Sequence, residues 1–560
     1  MSSDNVPMMF RAQIQDRCQI HRVEKGKRRQ DAYKWVDEWV KVFPDKDDMA
    51  LAPEEFIPRF GNNVETRDYK ISWRLVTNSG QDEGVIRPII GAGGFPYYSG
   101  ASMKGGFLRA CKQICTLEEV ELYCGKKLSD GSYTQGILRF HGAYPVDMKW
   151  TKRLVDIVHS QSEKQVIEDQ KTNANAQISL YKATLKFGIS SRVPLQPFEW
   201  DKIWQVWERA MGVGIGSRVS AGYGHFLGVN HYQPLLQVEL KGQGVTSKLV
   251  NGKKEFRCNM FKAALRGHTL RLLGGMTDKT TAQDITSKLW GGFNNKEASV
   301  GLLGTSFDFS DDDINVHPDK QFYTLSQGTL NIFCFQDKID DDTRTKLIQT
   351  TESLIKFSLL FSSFGKSWRR ICHQKFFPEY YKAPEQLEGD EAPKKQKQII
   401  GSHWEFLDSS TPLCLNINEL KEIREFINNT RNIIKTWIPE NKQAQQGITK
   451  WRESWYPRKV QVWARFTEGD KSKAIYWFHQ NYSPSKSIKN PHRLTGSMGK
   501  TGRIWHRMYP CYSSNANGEI VVINYIELLT IFPDISLDRE KFSDDFIRFL
   551  ETETDFTQVW

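Results

Sequence analysis

Residues 100–109 read Gly100-Ala101-Ser102-Met103-Lys104-Gly105-Gly106-Phe107-Leu108-Arg109, and residues 212–226 read Gly212-Val213-Gly214-Ile215-Gly216-Ser217-Arg218-Val219-Ser220-Ala221-Gly222-Tyr223-Gly224-His225-Phe226. The first stretch opens on small residues, passes Lys104 and runs into an apolar segment carrying Arg109. That order predicts a loop turning into a helix, from Ser102 to about Glu121. Backbone amides at a helix start, with a lysine among them, suit a phosphate. The second stretch is a glycine-rich loop with one arginine and one tyrosine. Its glycines permit positive φ and let the backbone approach a ligand closely. Neither stretch is a nucleoside-triphosphate loop, because Lys104 lacks the preceding glycine and the following Ser or Thr of that motif. Together they predict a chain that holds a nucleic-acid backbone.

The bulk numbers agree with such a partner. The chain has 560 residues, enough for two to four domains, and 39% of them are hydrophobic. A formal net charge of +11, with basic residues spread along the whole chain, favours an acidic partner. The nine cysteines are odd in number and scattered. The start, Met1 to Gln30, is polar and then basic, with no secretory pattern, and no apolar run is long enough to span a bilayer. These features predict free thiols, a cytoplasmic location and no membrane partner. Seventeen tryptophans serve cores, and aromatics also stack on unpaired bases.

Along the chain, 1–55 reads as a basic extension with one amphipathic helix over Asp31–Phe43. A first domain follows over 56–232. Its expected strands lie at Asp68–Val76, Val85–Ile90, Gly136–Tyr144 and Tyr181–Ile189, with a helix at Phe198–Met211. After a break at Pro234 the order restarts. Leu236–Leu240 reads as a strand, Phe256–Leu273 as a helix, Thr324–Phe335 as a strand and Thr343–Phe361 as a helix. This is a weak internal duplication with a period near 150 residues, visible in order and spacing more than in identity. The second domain covers 233–384, an insertion or linker with a helix covers 385–450, and 451–560 reads as the remainder of the second domain. Strands are expected there at Val460–Phe466, Ala474–His479 and Ile520–Ile531. Strands and helices mix without βαβ regularity, so the predicted class is α+β with antiparallel sheets.

The Ser102-Met103-Lys104-Gly105…Leu108-Arg109 helix start, followed by Gly214-Ile215-Gly216…Gly222-Tyr223-Gly224-His225-Phe226, resembles the RAMP superfamily of CRISPR effector subunits, particularly those of type III complexes. The resemblance implies a ferredoxin-like RNA-recognition core in each of two tandem units. It likens the first half to the subunit at the guide's 3′ side. The second half departs from the pattern: Ala264-Leu265-Arg266 and the Phe364–Arg370 loop stand in, with no Ser-x-Lys-Gly and one glycine. The implied partners are guide RNA, target RNA and the other RAMP and large subunits of a CRISPR ribonucleoprotein in antiviral defence.

Candidate RNA contacts are Ser102, Lys104 and Arg109 on the helix and Gly214, Gly216, Arg218 and Tyr223 in the loop. Lys366, Arg369, Arg370, Arg503 and Arg507 are candidates in the second half. Ser102 also suits a helix cap, and Tyr223 equally suits a core position. Trp505 beside Arg503, His506 and Arg507 reads as an RNA-stacking patch or a subunit interface. Asp82, in the polar loop Gly80–Gly84, is the candidate for catalysis. The resemblance implies that a loop aspartate near that place promotes cleavage of target RNA with a divalent metal such as Mg²⁺. The same residue also fits a solvated turn. Cys111, Cys115 and Cys124 with His141 form a candidate zinc set, although their spacing fits no common finger and buried thiols are the default. Asp311–Asp313 and Asp340–Asp342 read as solvated acidic runs. The favoured expectation is a structural, guide-holding subunit. The enzymatic alternatives are a target-RNA endoribonuclease using Asp82 and a precursor-guide processing ribonuclease, for which His225 is the nearest histidine.

Overall fold

The computed structural model of the chain describes residues 35–40, 57–77, 80–82, 85–159, 166, 174–229, 234–248, 254–294, 297–317, 321–336, 338–365, 370–378, 401–407, 413–442, 449, 451–457, 459–489, 494–495, 502–515, 517, 520–533 and 542–560. They fall into two compact units. The first draws on 1–160, 173–234 and 249–253, the second on 161–172, 235–248 and 254–560. Both are mixed α+β, built on small, mainly antiparallel sheets.

The first unit holds β1 (Glu65–Lys70), β2 (Gly80–Asp82), β3 (Val85–Arg87), α1 (Gly100–Ile114), α2 (Leu117–Cys124), β4 (Leu138–Pro145), β5 (Val155–His159), β6 (Ala174–Ile178), β7 (Thr184–Ser191) and α3 (Pro197–Gly212). β7 lies between β1 and β4, antiparallel to both, with Asp68 opposite Lys186 and Ala143 opposite Phe187. On the far side of β1, Ile71 bridges Phe226 and the Leu227 N–H donates to Lys70 O at 2.8 Å. The segment after the glycine loop therefore returns beside the first strand. β2, β3, β6 and β5 make a second small sheet, in which β3 and β6 run parallel.

Two helices cover the β1–β7–β4 sheet because each has one apolar stripe. α1 buries Met103, Gly106, Phe107, Ala110 and Cys111, the 3–4 spacing of one helix face. α3 buries Ile203, Trp204, Trp207, Ala210 and Met211. Phe187 on the central strand meets Trp207 at 5.3 Å and Phe226 at 5.9 Å between ring centroids. Fully burying a side chain such as Phe107 contributes about 1.5–3 kcal/mol. The predicted helix to Glu121 is in fact two. Cys115 is extended (φ −112°, ψ 161°), and Thr116 with Glu119 forms a capping box that starts α2. Residues 35–40 are helical, and Trp39 Nε1–H donates to Gly94 O at 2.8 Å.

The second unit begins with β8 (Leu236–Val245), α4 (Met260–Gly274), α5 (Lys279–Trp290), β9 (Leu303–Asp308), β10 (Ile314–Val316), β11 (Phe322–Cys334), α6 (Asp341–Phe357) and β12 (His403–Phe406). Its sheet order is β9-β11-β8-β12, all antiparallel, with β10 also on β11. Asp340 caps α6 through the Thr343 N–H at 2.7 Å, with Asp341 and Asp342 in the first turn, so that acidic run serves the helix start. With the second small sheet, α2, α5 and β10 set aside, each unit's main sheet and its helices come in the order strand, helix, strand, strand, helix, and a later segment returns beside the first strand.

The rest of this unit contains α7 (Lys421–Lys435), β13 (Gln461–Phe466), β14 (Ile504–Ser514), β15 (Ile520–Ile531), α8 (Phe542–Glu553) and β16 (Thr557–Gln558). These four strands pair with one another in the order β14-β15-β13-β16, in a sheet separate from that of β8. The strand expected at Ala474–His479 is instead a short helix, Ala474–Trp477. Its first amides are held by a buried carboxylate, with Lys473 N–H and Ala474 N–H donating to Glu527 at 3.0 and 2.9 Å.

Candidate nucleic-acid interface

The start of α1 is fixed from below. Ser99, not Ser102, is the cap: its Oγ accepts the Ser102 N–H at 3.2 Å and lies 2.8 Å from Ser102 Oγ. The Gly100 N–H donates to the Tyr97 hydroxyl at 3.0 Å, and that hydroxyl donates to His141 O at 2.9 Å. A Cβ on Gly100 would stand 2.1 Å from Phe140 O, so only glycine lets the helix sit this close to β4. With its lower side locked, α1 turns Ser102, Lys104, Gly105, Arg109 and Lys112 outward. The helix contains no Asp or Glu. Among the described residues, no carboxylate lies within ion-pair distance of Lys104 or Arg109.

The glycine loop folds back on itself. Gly214, Gly216 and Arg218 all have positive φ (87°, 83° and 63°). Ile215 N–H donates to Gly224 O at 3.0 Å, Gly224 N–H to Arg74 O at 2.7 Å, and Ser217 N–H to Val76 O at 2.9 Å. A Cβ on Gly224 would lie 1.8 Å from Ile215 O, which is why the closed loop needs a glycine there. Gly216 and Arg218 are exposed at its tip.

Tyr223 faces the other way. It is fully buried, its hydroxyl donates to Asp156 Oδ2 at 2.8 Å, and its ring packs on Trp73 at 4.7 Å. The same carboxylate oxygen accepts from Gln177 Nε2 at 3.2 Å. Tyr223 is therefore an anchor of the loop, and the expectation of an RNA contact from its ring is corrected: in this conformation nothing outside the fold reaches it. Arg74, also fully buried, donates to Ser179 Oγ at 2.7 Å and lies over Tyr181 at 5.0 Å. Asp156 and Arg74 escaped the sequence reading because single charged residues inside strand patterns carry no periodic signal. His225 is likewise buried.

Helices α1 and α3 cross where a Cβ on Gly106 would lie 3.8 Å from the Ala210 Cβ. Lys104 and Gly212 each lie two residues from that crossing, about 3 Å of helical rise. Arg209 Nε–H donates to Gln113 Oε1 at 3.2 Å and Lys202 pairs with Glu119, so the two helices run antiparallel and Lys104 and Gly212 lie on the same side of the crossing.

The second-half candidates are arranged differently. Arg507 is almost fully buried. Its Nε donates to Leu359 O at 2.8 Å, Nη2 donates to Trp404 O at 2.9 Å, and Nη1 donates to His403 Nδ1 at 2.7 Å. Burial pushes this guanidinium down to about 10. Trp505 and His506 are buried as well, so the expected stacking patch is instead interior. The residues alternate along β14, and both faces of that strand are covered. Arg370 lies over Trp505 at 4.4 Å and donates to Ser362 O at 3.0 Å. Arg503 is half-buried at the start of β14. Lys366 and Arg369 lie outside the described residues.

Asp82 ends β2, its backbone opposite Val85. No group of three or more His, Cys, Asp or Glu suited to a metal occurs among the described residues. Burial and the neighbouring Cys115 push the Cys111 thiol well up, and burial takes Cys124 to about 11. His141 Nε2 is 2.8 Å from Ser190 Oγ. The expected Cys111, Cys115, Cys124 and His141 zinc set is thus not assembled. Among the described residues, no helix is long and apolar enough to cross a membrane.

No family profile matches this sequence, and no curated protein matches it. Among solved structures it is similar to a chain of the type III-B Cmr-β complex bound to cognate target RNA, at 17% identity over 37% of this chain and 66% of that one, with a TM-score of 0.23. A chain of a type IV-B CRISPR complex aligns at 16% identity over 29% and 87%, with a TM-score of 0.21. Cmr6 from Pyrococcus furiosus aligns at 13% identity over 31% and 100%, with a TM-score of 0.19.

Proposed function

We propose that the chain is an RNA-binding backbone subunit of a CRISPR ribonucleoprotein, made of two tandem ferredoxin-like units, that holds guide RNA and presents it to complementary target RNA. The observation that carries this reading is α1: an exposed helix start with Lys104 and Arg109 lacking carboxylate partners among the described residues, beside a closed glycine loop whose tip exposes Gly216 and Arg218. Phosphate contacts of this kind fix position without reading sequence, as a guide holder requires. The strand order supports the fold assignment. Among the main-sheet elements, the order strand, helix, strand, strand, helix and returning segment, with the last beside the first strand, is what a ferredoxin-like unit would give.

The test is RNA binding as a function of salt. The full chain is titrated with a labelled single-stranded RNA from 50 to 200 mM salt. Each lost phosphate contact lowers the slope of log affinity against log salt by about 0.7 for a single strand. Lys104→Glu with Arg109→Glu is expected to lower it by about 1.4 and to weaken binding of unrelated RNA sequences equally. Asp82→Ala is expected to bind as the parent does. An unchanged slope in the double variant removes α1 from the interface.

A further inference from the structure

The second unit carries a cavity of about 450 Å³ on the face of its sheet that carries Lys241, Gln243, His403 and Glu405. Four adjacent strands contribute one row of it: His403 on β12, Gln243 on β8, Thr324 on β11 and Asn315 on β10 stand opposite one another in turn. The next row begins with Glu405 opposite Lys241. Along the row the chemistry changes sign. At one end, Glu405 is held by Lys375 at 3.4 Å and Lys241 at 3.6 Å, and its Oε1 accepts from His403 Nε2 at 2.6 Å. His403 Nδ1 in turn accepts from Arg507 at 2.7 Å, which fixes a neutral Nε2–H tautomer. Burial agrees, pushing His403 down to about 4.

Two ammonium groups against one carboxylate leave this wall net positive. Both lysine distances exceed the 2.7–2.9 Å of a tight charge-assisted bond, and each ammonium carries three donors. Lys241 and Lys375 are half-exposed toward the cavity. At the other end are Asp312 and Asp313, in the turn before β10, and Asp313 Oδ1 accepts from Ser326 Oγ at 2.9 Å. From the strand of Lys241 to that of Asn315 is two strand spacings, about 10 Å. An anion-accepting wall and a carboxylate wall at that separation, with Gln243, Asn315 and Thr324 between them, match one molecule with a phosphate at one end and vicinal hydroxyls at the other.

We propose that this cavity is a binding site for a 5′-phosphorylated ribonucleotide, with Lys241 and Lys375 on the phosphate and Asp312 and Asp313 accepting from the ribose hydroxyls. The ligand is a free mononucleotide or the 5′-terminal nucleotide of an RNA. The carboxylate end selects ribose over 2′-deoxyribose, since the 2′-hydroxyl is the donor that separates the two. The site is built from residues of the second unit and does not depend on α1.

The experiment is calorimetric titration of the full chain with the four common ribonucleoside 5′-monophosphates and their 2′-deoxy counterparts. Saturable binding of at least one ribonucleotide is expected, about tenfold tighter than its deoxy form. Lys241→Gln should weaken it about tenfold. Asp312→Asn should close the ribose-to-deoxyribose gap while leaving the deoxy affinity in place. Lys104→Glu should bind nucleotide as the parent does, so failure of this site and failure of the α1 reading are separate results. A parallel titration uses a short RNA with either a 5′-phosphate or a 5′-hydroxyl. A phosphate-dependent gain that Lys241→Gln removes assigns the site to an RNA end, and nucleotide binding without such a gain assigns it to free nucleotide. The proposal is overturned if no mononucleotide saturates the protein and a 5′-phosphate adds nothing to the affinity of the short RNA. It is equally overturned if Lys241→Gln and Asp312→Asn, shown folded by unchanged melting, leave every affinity as it was.

Discussion

Replacing Glu527 by glutamine should cost the second unit about 3–5 kcal/mol, and the same figure follows from two independent arguments. Glu527 is fully buried in β15. Its Oε1 accepts from Ser472 Oγ (2.5 Å), His506 Nε2 (2.9 Å) and Ala474 N–H (2.9 Å). Its Oε2 accepts from Arg465 Nε (2.8 Å) and Lys473 N–H (3.0 Å). Glutamine has one acceptor oxygen, so either orientation sets an NH2 against at least two donors and, among the described residues, leaves the buried Arg465 with only the half-exposed Asp555, 3.1 Å from its Nη1, as counter-charge. Breaking a buried pair on one side costs about 3–5 kcal/mol. Proton linkage at Glu527 leads to a similar figure. Burial alone would raise the carboxyl, but His506, Ser472 and Arg465 outweigh it and hold Glu527 at about 2, against an ordinary 4.5. A depressed folded value means stability that is present above the unfolded value and lost as pH falls from 4.5 toward 2. That depression corresponds to about 3 kcal/mol. At about 2 °C per kcal/mol, E527Q should lower the melting transition of the second unit by about 6 °C at pH 7. The gap between variant and parent should narrow as pH falls from 5 to 3, because the parent loses the same charge. Scanning calorimetry across that range is the assay. A melting temperature within 1 °C of the parent at pH 7, or a gap that does not shrink in acid, would refute the reasoning.

Tyr223→Phe removes the donor to the buried Asp156 and should cost about 1–3 kcal/mol in urea unfolding, while RNA affinity of the folded protein stays the same. Two glycines of α1 should respond in opposite directions. Gly100→Ala sets a methyl 2.1 Å from Phe140 O and should lower the melting temperature of the first unit, whereas a Cβ on Gly105 meets nothing within 4 Å and Gly105→Ala should stabilise by about 0.5–1 kcal/mol. Cys111 and Cys124 should stay unmodified by a thiol reagent at pH 8 until the unit is unfolded, since both thiols are buried with raised values, and mass spectrometry of the labelled protein reads this directly.

What was legible in the sequence was what repeats. The α1 stripe Met103, Phe107, Ala110 shows as a 3–4 spacing, and β7 shows as the alternation Leu185, Phe187, Ile189. The order of elements in the two units was readable for the same reason. What escaped was whatever depends on contacts far along the chain. Ala474–Trp477 has a strand-like composition, yet its amides are claimed by Glu527, some fifty residues on. Arg507 reads as a surface cation in a basic glycine-rich segment. It is interior because three acceptors, on Leu359, His403 and Trp404, converge on it from roughly a hundred residues or more away.

The same distinction separates the two candidate sites. In the first unit the proposed contacts come from two short stretches, each contiguous in sequence, so the helix start is legible as a motif: Gly100 for close approach, Lys104 for charge, an apolar stripe to seat it. In the second unit Lys241, Asp312, Lys375 and Glu405 come from four separate segments: strand register sets Lys241 opposite Glu405, while Asp312 stands in the turn before β10 and Lys375 on the short helix His373–Phe376. The second half lacks the Ser-x-Lys-Gly signature, and its most conspicuous arginine, Arg507, is spent inside the fold on orienting His403. A motif search therefore reads this half as a weakened copy of the first. Strand register gives it instead a polar surface of its own, so the two proposed sites are built on different elements: a helix start in the first unit and a sheet face in the second.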